Sequence, residues 1–299
     1  MKTLKLNLSK CEGFTSHRSG WSYAIESLQP FHSDSGVLLD DFVERTFIWN
    51  KVKSKPYTFP WFGVVHLPSH DRVEFDKRNS LDFLFKSEKF LESLEKCLGL
   101  VTLSEYLARQ IRPLVKCPVV SVRHPTQSAK FWAPSLYRQN KSISQIGYWL
   151  RDFVKCNEFL NKHSYLKTYC LPGIKAQYID IWNRIMAQEG RDYIVHPPTN
   201  LDNEKYDDLL SSTVAVVFLH ATSANNGIIE PLIRNTPIIT NRLPATVEYL
   251  GEDYPIYDVD YINDDMIFEA HEYLKKMDKS FLRGDVFARD LINKLKEVI

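Results

Sequence analysis

Between Thr213 and Tyr257 the chain reads TVAVVFLHATSANNGIIEPLIRNTPIITNRLPATVEYLGEDYPIY, and its residue types suit the capture of an anion. Ser223, Asn225, Asn226 and Gly227 are small or polar and precede an apolar-periodic segment, Ile228 to Ile233, expected to be helical. At a helix N-terminus, backbone N–H groups and the helix dipole favour an anion such as a diphosphate. Glu230, about one turn into that helix, is placed to accept hydrogen bonds from sugar hydroxyls. Arg151 follows SISQIGYW, where a guanidinium could clamp a diphosphate and stabilise a leaving nucleotide. His66 ends WFGVVH and has the chemistry of a general base or of a group that positions a hydroxyl. Asp34 and Asp71 are weaker candidates for such a base. Gly20, in the loop from Ser16 to Trp21, would let the backbone approach a substrate closely. Each has a plainer reading: an ordinary turn at Gly20, a core-edge histidine at His66, a surface ion pair between Arg151 and Asp152.

These side chains need strands and helices to hold them. Val214 to Leu219 is too short and Val-rich for a buried helix and reads as a covered parallel strand. Thr236-Pro237 stops the next helix, Ile238-Ile239 makes a second strand, and Leu243-Pro244 begins a helix ending at Gly251. The first half alternates in the same way. Leu4 to Leu8, Gly36 to Leu39, Trp61 to His66, Leu98 to Leu103 and Pro118 to Val122 read as strands. Trp21 to Leu28, Ser80 to Cys97 and Ser104 to Leu114 read as helices. His124 to about Lys141 reads as a connection, after which the pattern restarts. Ser142 to Tyr148, Tyr165 to Leu171 and Tyr193 to His196 are expected strands. Asp152 to Leu160, Ala176 to Gln188 and Asn203 to Leu210 are expected helices. Strand-then-helix order predicts α/β domains with parallel sheets and right-handed crossovers, with ligands at the carboxyl ends of the strands.

Composition narrows the function. The chain has 299 residues, enough for two domains with real cores. Its 38 lysines and arginines against 37 acids argue against a nucleic-acid-binding surface. Five cysteines without CxxC spacing fit a reducing cytosol rather than a disulfide framework or zinc site. No apolar run approaches the roughly 18 residues of a membrane span, and the N-terminus lacks a signal-peptide core. There is no G-x-G-x-x-G after a strand, no phosphate-binding G-x-x-x-x-G-K-[ST], no H-E-x-x-H and no G-x-S-x-G. The metal-holding pattern D-x-D occurs only as Asp258-Val259-Asp260 and reads as a turn, so no metal and no other cofactor is expected. Trp21, Trp61, Phe131 and Trp132 are either sugar-stacking platforms or buried aromatics.

The stretch from Ser223 to Glu248 resembles the donor-binding domain of GT-B glycosyltransferases, especially the group-1 type. Glu230, Asn235-Thr236-Pro237-Ile238-Ile239 and Glu248 stand in the order of that family's motif. The group-1 pattern has another glutamate eight residues before the helix glutamate, and Thr222 stands there, so the paired signature is half present. The resemblance implies two Rossmann-like domains facing each other across a cleft: an acceptor domain at 1–135 and a donor domain at 136–280. A last helix, 281–299, would cross back to the first domain. It implies that Arg151, with Lys155 or Lys175, holds the diphosphate, that His196 lies near the nucleotide base, and that Glu248 contacts the donor. Catalysis would fall to His66, Arg151 and Glu230. The implied activity is metal-independent transfer of a sugar from a UDP, GDP or TDP donor to a glycan or lipid-linked acceptor, in the cytoplasm, with peripheral membrane contact left open. A nucleotide-sugar epimerase or hydrolase of the same fold, or a catalytically inactive binding subunit, are the alternatives.

Overall fold

The strand cores form where apolar runs alternate their side chains between two faces, as WFGVV does between Val43 and Leu100 neighbours on one side and Leu39 and Val101 on the other. In the computed structural model the residues described are 4–13, 20–72, 75–127, 130–170 and 201–299, with backbone only at 166–170. They group into two compact units: Met1–Gln127 with Ala221–Asn226 and Asp278–Ile299, and Ser128–His220 with Gly227–Met277.

The first unit is a parallel sheet in the order β1 (Leu6–Asn7), β2 (Val37–Asp40), β3 (Trp61–Val65), β4 (Cys97–Thr102) and β5 (Val119–Ser121). Leu39 pairs with Phe62, Gly63 with Leu100, and Leu100 with Val119. On one face α1 (Trp21–Leu28) and the C-terminal helix Gly284–Glu297 bury Leu28, Phe287, Leu291 and Leu295 against Leu39, Phe62 and Val101. Each such side chain stabilises by about 1.5–3 kcal/mol when fully buried. Gly284 permits the close approach of these helices, since a Cβ there would meet Ser27 Oγ and the Tyr23 hydroxyl. The other face carries α2 (Leu81–Leu84), α3 (Glu88–Leu94) and α4 (Glu105–Ile111), capped by Ser104 Oγ accepting from Leu107 N at 3.3 Å.

The single helix expected over 80–97 is two helices, and Cys97 already opens β4. Leu81, Leu84 and Phe85 share one helical stripe, but that stripe continues to Glu88, not to Phe90. The break before Ser87, whose backbone is extended, re-phases the chain so that Phe90 reaches the core. The expected 281–299 helix likewise opens within a short 3₁₀ turn, Ser280–Leu282, before the α-helix at Gly284.

The second unit has the order β7 (Leu166–Cys170), β6 (Ser142–Ile146), β8 (Thr213–Val217) and β9 (Ile238–Thr240), all parallel. Its helices among the described residues are α5 (Pro134–Asn140), α6 (Phe153–Asn161), α7 (Asn203–Ser212), α8 (Asn226–Arg234, of which Gly227–Arg234 falls in this unit), α9 (Pro244–Leu250) and α10 (Asp264–Lys276), the C-terminal helix being α11. The stretch expected as a plain connection thus contains α5. Trp132 beside it is anchored, its Nε1 donating to Thr213 O at 2.7 Å. The expected stop of α8 is met by Asn235 in the left-handed region (φ 61°), with His271 Nδ1 donating to its carbonyl at 2.8 Å. The expected helix 176–188 and strand 193–196 lie outside the described residues. Among the described residues no helix is long and apolar enough to cross a membrane.

Arg234 ties α8 to α7. Its side chain is fully buried, Nη2 donates to Asp207 Oδ1 at 2.5 Å, and Nη1 donates to Glu230 O at 2.8 Å. Removing one partner of a buried pair leaves the other's charge uncompensated, at a cost of about 3–5 kcal/mol. Arg234→Leu is therefore expected to lower second-unit stability by about that much in urea unfolding, and adding Asp207→Leu should recover most of the loss. A single-variant cost under about 1 kcal/mol would remove the pair from this role.

Candidate functional site

In the first unit, chemistry concentrates where β2 and β3 end. The chain leaves β2 through Asp40 and Asp41 and passes Glu44 into a single π-helical turn, Arg45–Trp49, closed by Asn50 N donating to Arg45 O at 2.9 Å. All three carboxyls are buried. Asp41 accepts from Arg45 Nη2 at 2.5 Å and from Trp21 Nε1 at 2.9 Å. Asp40 accepts from the Tyr57 hydroxyl at 2.9 Å and from Phe42 N at 3.2 Å. Glu44 Oε1 accepts the backbone N–H groups of His66 at 2.7 Å and Leu67 at 2.8 Å, while Oε2 is buried with no hydrogen-bond partner among the described residues. Burial raises all three carboxyls, Asp41 to about 6 against the pull of Arg45 and Glu44 to about 7.

His66 sits on this acidic floor. Its ring stacks on Phe42 at 4.0 Å, meets the edge of Trp21 at 4.6 Å, and Nε2 lies 2.9 Å from Asp41 O. A carbonyl only accepts, so Nε2 carries the hydrogen and Nδ1 the lone pair. Burial holds the imidazole neutral, with its pKa pushed down to about 3. A base that weak accepts a hydrogen bond at neutral pH but drives proton removal poorly. The ring is better suited to orienting a hydroxyl than to deprotonating it. Ser223, from the expected anion loop, donates its hydroxyl to His66 O, and Ala224 packs against the first-unit core. That hydroxyl is thus engaged within the protein. Gly20 precedes α1 with φ −63°, a conformation open to any residue, and the loop residues before it lie outside the described residues.

In the second unit, β6 runs into a tight turn with Gly147 at φ 74° and Leu150 at φ 53°. Arg151 folds back over this turn. Its Nε donates to Ile146 O at 2.7 Å and Nη1 to Trp149 O at 3.0 Å. The side chain is 4% exposed, and burial lowers its pKa to about 10. Two of its donors thus close the end of β6, an arrangement the sequence does not announce. Lys155 Nζ lies 3.4 Å from Asp258 Oδ1 and 4.7 Å over the Phe218 ring, while its N–H bonds the capping Asp152 at 2.9 Å. The other acid of Asp258-Val259-Asp260 lies 3.9 Å from Lys162 Nζ. Glu230 lies one turn into α8 and is 2% exposed; Asn225, Asn226 and Glu248 are half-buried, and Gly227 is buried. Lys175 and His196 lie outside the described residues. Among the described residues no three His, Cys, Asp or Glu side chains converge as a metal site.

Several participants escape a reading by residue type. Asp41, Glu44 and Arg45 were not singled out, although VLLDDFVER, an apolar strand followed by three acids, carried the signal. Asn241 bridges the ends of β8 and β9, with Oδ1 accepting from Leu219 N at 2.9 Å and Nδ2 donating to Leu219 O at 2.8 Å. Of the four aromatics weighed as sugar platforms, Trp21, Trp61 and Trp132 are buried and Phe131 is 59% exposed.

No protein-family model and no curated protein matches the chain. Solved structures do. A glycosyltransferase from Rickettsia africae ESF-5 superposes with a TM-score of 0.58 at 9% identity, over 100% of this chain and 99% of that one. The apo structure of OtsA gives 0.57 at 13% identity, over 93% of this chain and 77% of OtsA. S. aureus TarM, solved with fondaparinux, alpha-GlcNAc-glycerol and UDP, gives 0.54 at 15% identity, over 92% of this chain. The chain spans only 54% of TarM's length. At such identities the likeness is one of fold, and the chain has the GT-B fold.

The buried Glu44 makes stability depend on pH. Its folded pKa, about 7, lies above the ordinary 4.5, so the folded state holds the proton more tightly. Stability from that proton is fully present below about pH 4.5 and is lost as pH rises through about 7. Glu44→Gln, which keeps the shape without the charge, should therefore be more stable than the parent at pH 8 by up to about 3 kcal/mol, and level with it near pH 4.5. Urea unfolding of both proteins at the two pH values measures this; a difference independent of pH would contradict it.

Proposed function

We propose that this protein is a glycosyltransferase that moves a sugar from a nucleotide-diphosphate donor to a hydroxyl of a glycan or lipid-linked acceptor. The observation that carries the reading is α8, a nine-residue helix that opens after β8 with Glu230 buried one turn inside it, on a GT-B fold. N–H groups at the head of that helix suit a diphosphate, and a carboxylate one turn later suits the hydroxyls of a ribose or sugar. The donor is assigned to the second unit and the acceptor to the first. There, neutral His66 orients the attacking hydroxyl through Nδ1, over the floor of Asp41 and Glu44. Leaving-group charge is met by helix N–H groups and by cations from the set Arg151, Lys155 and Lys175, without a divalent metal.

Thr222 favours a second reading. It is 6% exposed and stands where the group-1 pattern places a glutamate, while two donors of Arg151 are engaged by carbonyls. A GT-B subunit that binds a nucleotide sugar without transferring it would tolerate both features. Turnover separates the two readings.

UDP, GDP or TDP is expected to raise the melting temperature of the full chain, by mass action on the folded state. Glu230→Gln should weaken the effective nucleotide by roughly one to two orders of magnitude, the value of one charge-assisted bond of about 1.5–3 kcal/mol. Its melting temperature without ligand should stay near that of the parent. Calorimetric titration checks the first statement and thermal melting the second. If Glu230→Gln lowers stability while nucleotide affinity holds, the residue is a structural group only.

Metal independence has its own check. Donor turnover should persist in excess EDTA; activity abolished by the chelator and restored by manganese would overturn that part of the reading.

A further inference from the structure

We infer that the segment Trp49–Pro60 of the first unit is a docking surface for an anionic lipid bilayer, an assignment independent of whether the chain transfers sugar. The segment reads WNKVKSKPYTFP, with three lysines and no acid, in a chain whose formal net charge is only +1. Lys51, Lys53 and Lys55 are all exposed, and no described acid pairs with them. Among them, Val52 is 89% exposed, with Trp49 at 41% and Phe59 at 46%. An apolar side chain held that far into water beside unpaired cations is poorly suited to a solvated face. It matches the headgroup boundary, where acyl chains take the apolar tip and anionic phosphates take the lysines.

The projection is built rather than loose. Lys53 N donates to Asn50 O at 2.9 Å and Ser54 N to the same carbonyl at 3.0 Å, which closes a turn with Val52 at its tip. Lys89 Nζ, from α3, reaches under the turn to Lys51 O at 2.6 Å and Ser54 O at 2.7 Å, adding a fourth cation; the exposed Glu88 beside it is a neighbouring acid. Trp49 Nε1 donates to Asn79 Oδ1 at 2.6 Å, so the indole has the polar end and apolar body that suit a membrane interface. Asn79 itself follows Lys77 and Arg78, of which Arg78 is paired with Asp76 at 2.8 Å. The surface also connects to the candidate site. The Trp49 ring lies 5.0 Å from Phe42, and Phe42 stacks on His66 at 4.0 Å. A bilayer held on this segment presents lipid-borne hydroxyls two ring contacts from His66.

The test is co-sedimentation of the full chain with vesicles of phosphatidylcholine alone and vesicles holding phosphatidylglycerol at about a third of the lipid, in salt of about 0.05 M and about 0.5 M. Binding is expected to the anionic vesicles only, and to weaken at the higher salt. The triple variant Lys51→Glu, Lys53→Glu, Lys55→Glu should bind roughly 100-fold or more weakly. Val52→Asp should bind roughly tenfold more weakly. Because all four side chains are exposed, both variants should melt with the parent. Absence of binding to anionic vesicles at low salt overturns the proposal, as does equal binding to neutral vesicles. So does a Val52→Asp variant that binds vesicles like the parent while the lysine variant loses vesicles, heparin and RNA alike, which would mark a general polyanion patch.

Discussion

Every described strand pair in both sheets is parallel, and that constraint governs where this protein can do chemistry. Parallel strands need crossovers, so within each unit the loops that follow strands gather along one edge and those that precede strands along the other. The gathered carboxyl edge receives helix N-termini, turned backbones and whatever polar side chains the sequence supplies there. In the first unit those are Asp40, Asp41, Glu44 and His66, each within a few residues of a strand's end. In the second they are Arg151 and Asn241. Most of these groups are buried, and most of their polar atoms find partners in the protein.

That requirement explains the shape of the first-unit site. Three carboxyls within five residues would repel one another and be poorly solvated. Asp41 is met by Arg45 and Trp21, Asp40 by Tyr57, and Glu44 by two backbone N–H groups. Burial answers the remainder by raising the carboxyls toward their neutral forms and lowering the histidine toward its own. His66 is thereby neutral over a wide range of pH, held by Asp41 O and the face of Phe42. In the second unit the buried Arg234–Asp207 pair serves a different end, fixing α8, the helix that carries Glu230, to α7.

How far the sequence carried the fold can be read from particular elements. Short apolar runs located the described strands of both sheets, because a buried parallel strand has little alternative to being short and apolar. Ser104 as a cap and Thr236-Pro237 as a stop were legible, since capping and φ restriction act within a few residues. The split of the helix over 80–97 was not. It depends on Phe90 reaching a core assembled from Phe47, Trp61 and Leu107, which lie far away in the chain. The helix Pro134–Asn140 escaped for a similar reason: its only buried residue is Tyr137, and Trp132 beside it is anchored by residues some eighty positions on.

By itself, then, the sequence determined two successive α/β halves, the order of most of their elements, and the stretch where the helix carrying Glu230 begins. Those follow from local forces: apolar period, backbone restriction at proline and glycine, and capping. Only the tertiary structure decided which polar groups meet. It set His66 on the carbonyl of Asp41, turned Arg151 back onto Ile146 and Trp149, and enlisted Glu44, whose partners are 22 and 23 residues away. It also grouped residues 221–226 and 278–299 with the first unit. The reason is that burial and hydrogen-bond satisfaction are settled by neighbours in space, and the same histidine or arginine takes its role from whichever carbonyl, ring or carboxyl the folded chain brings beside it.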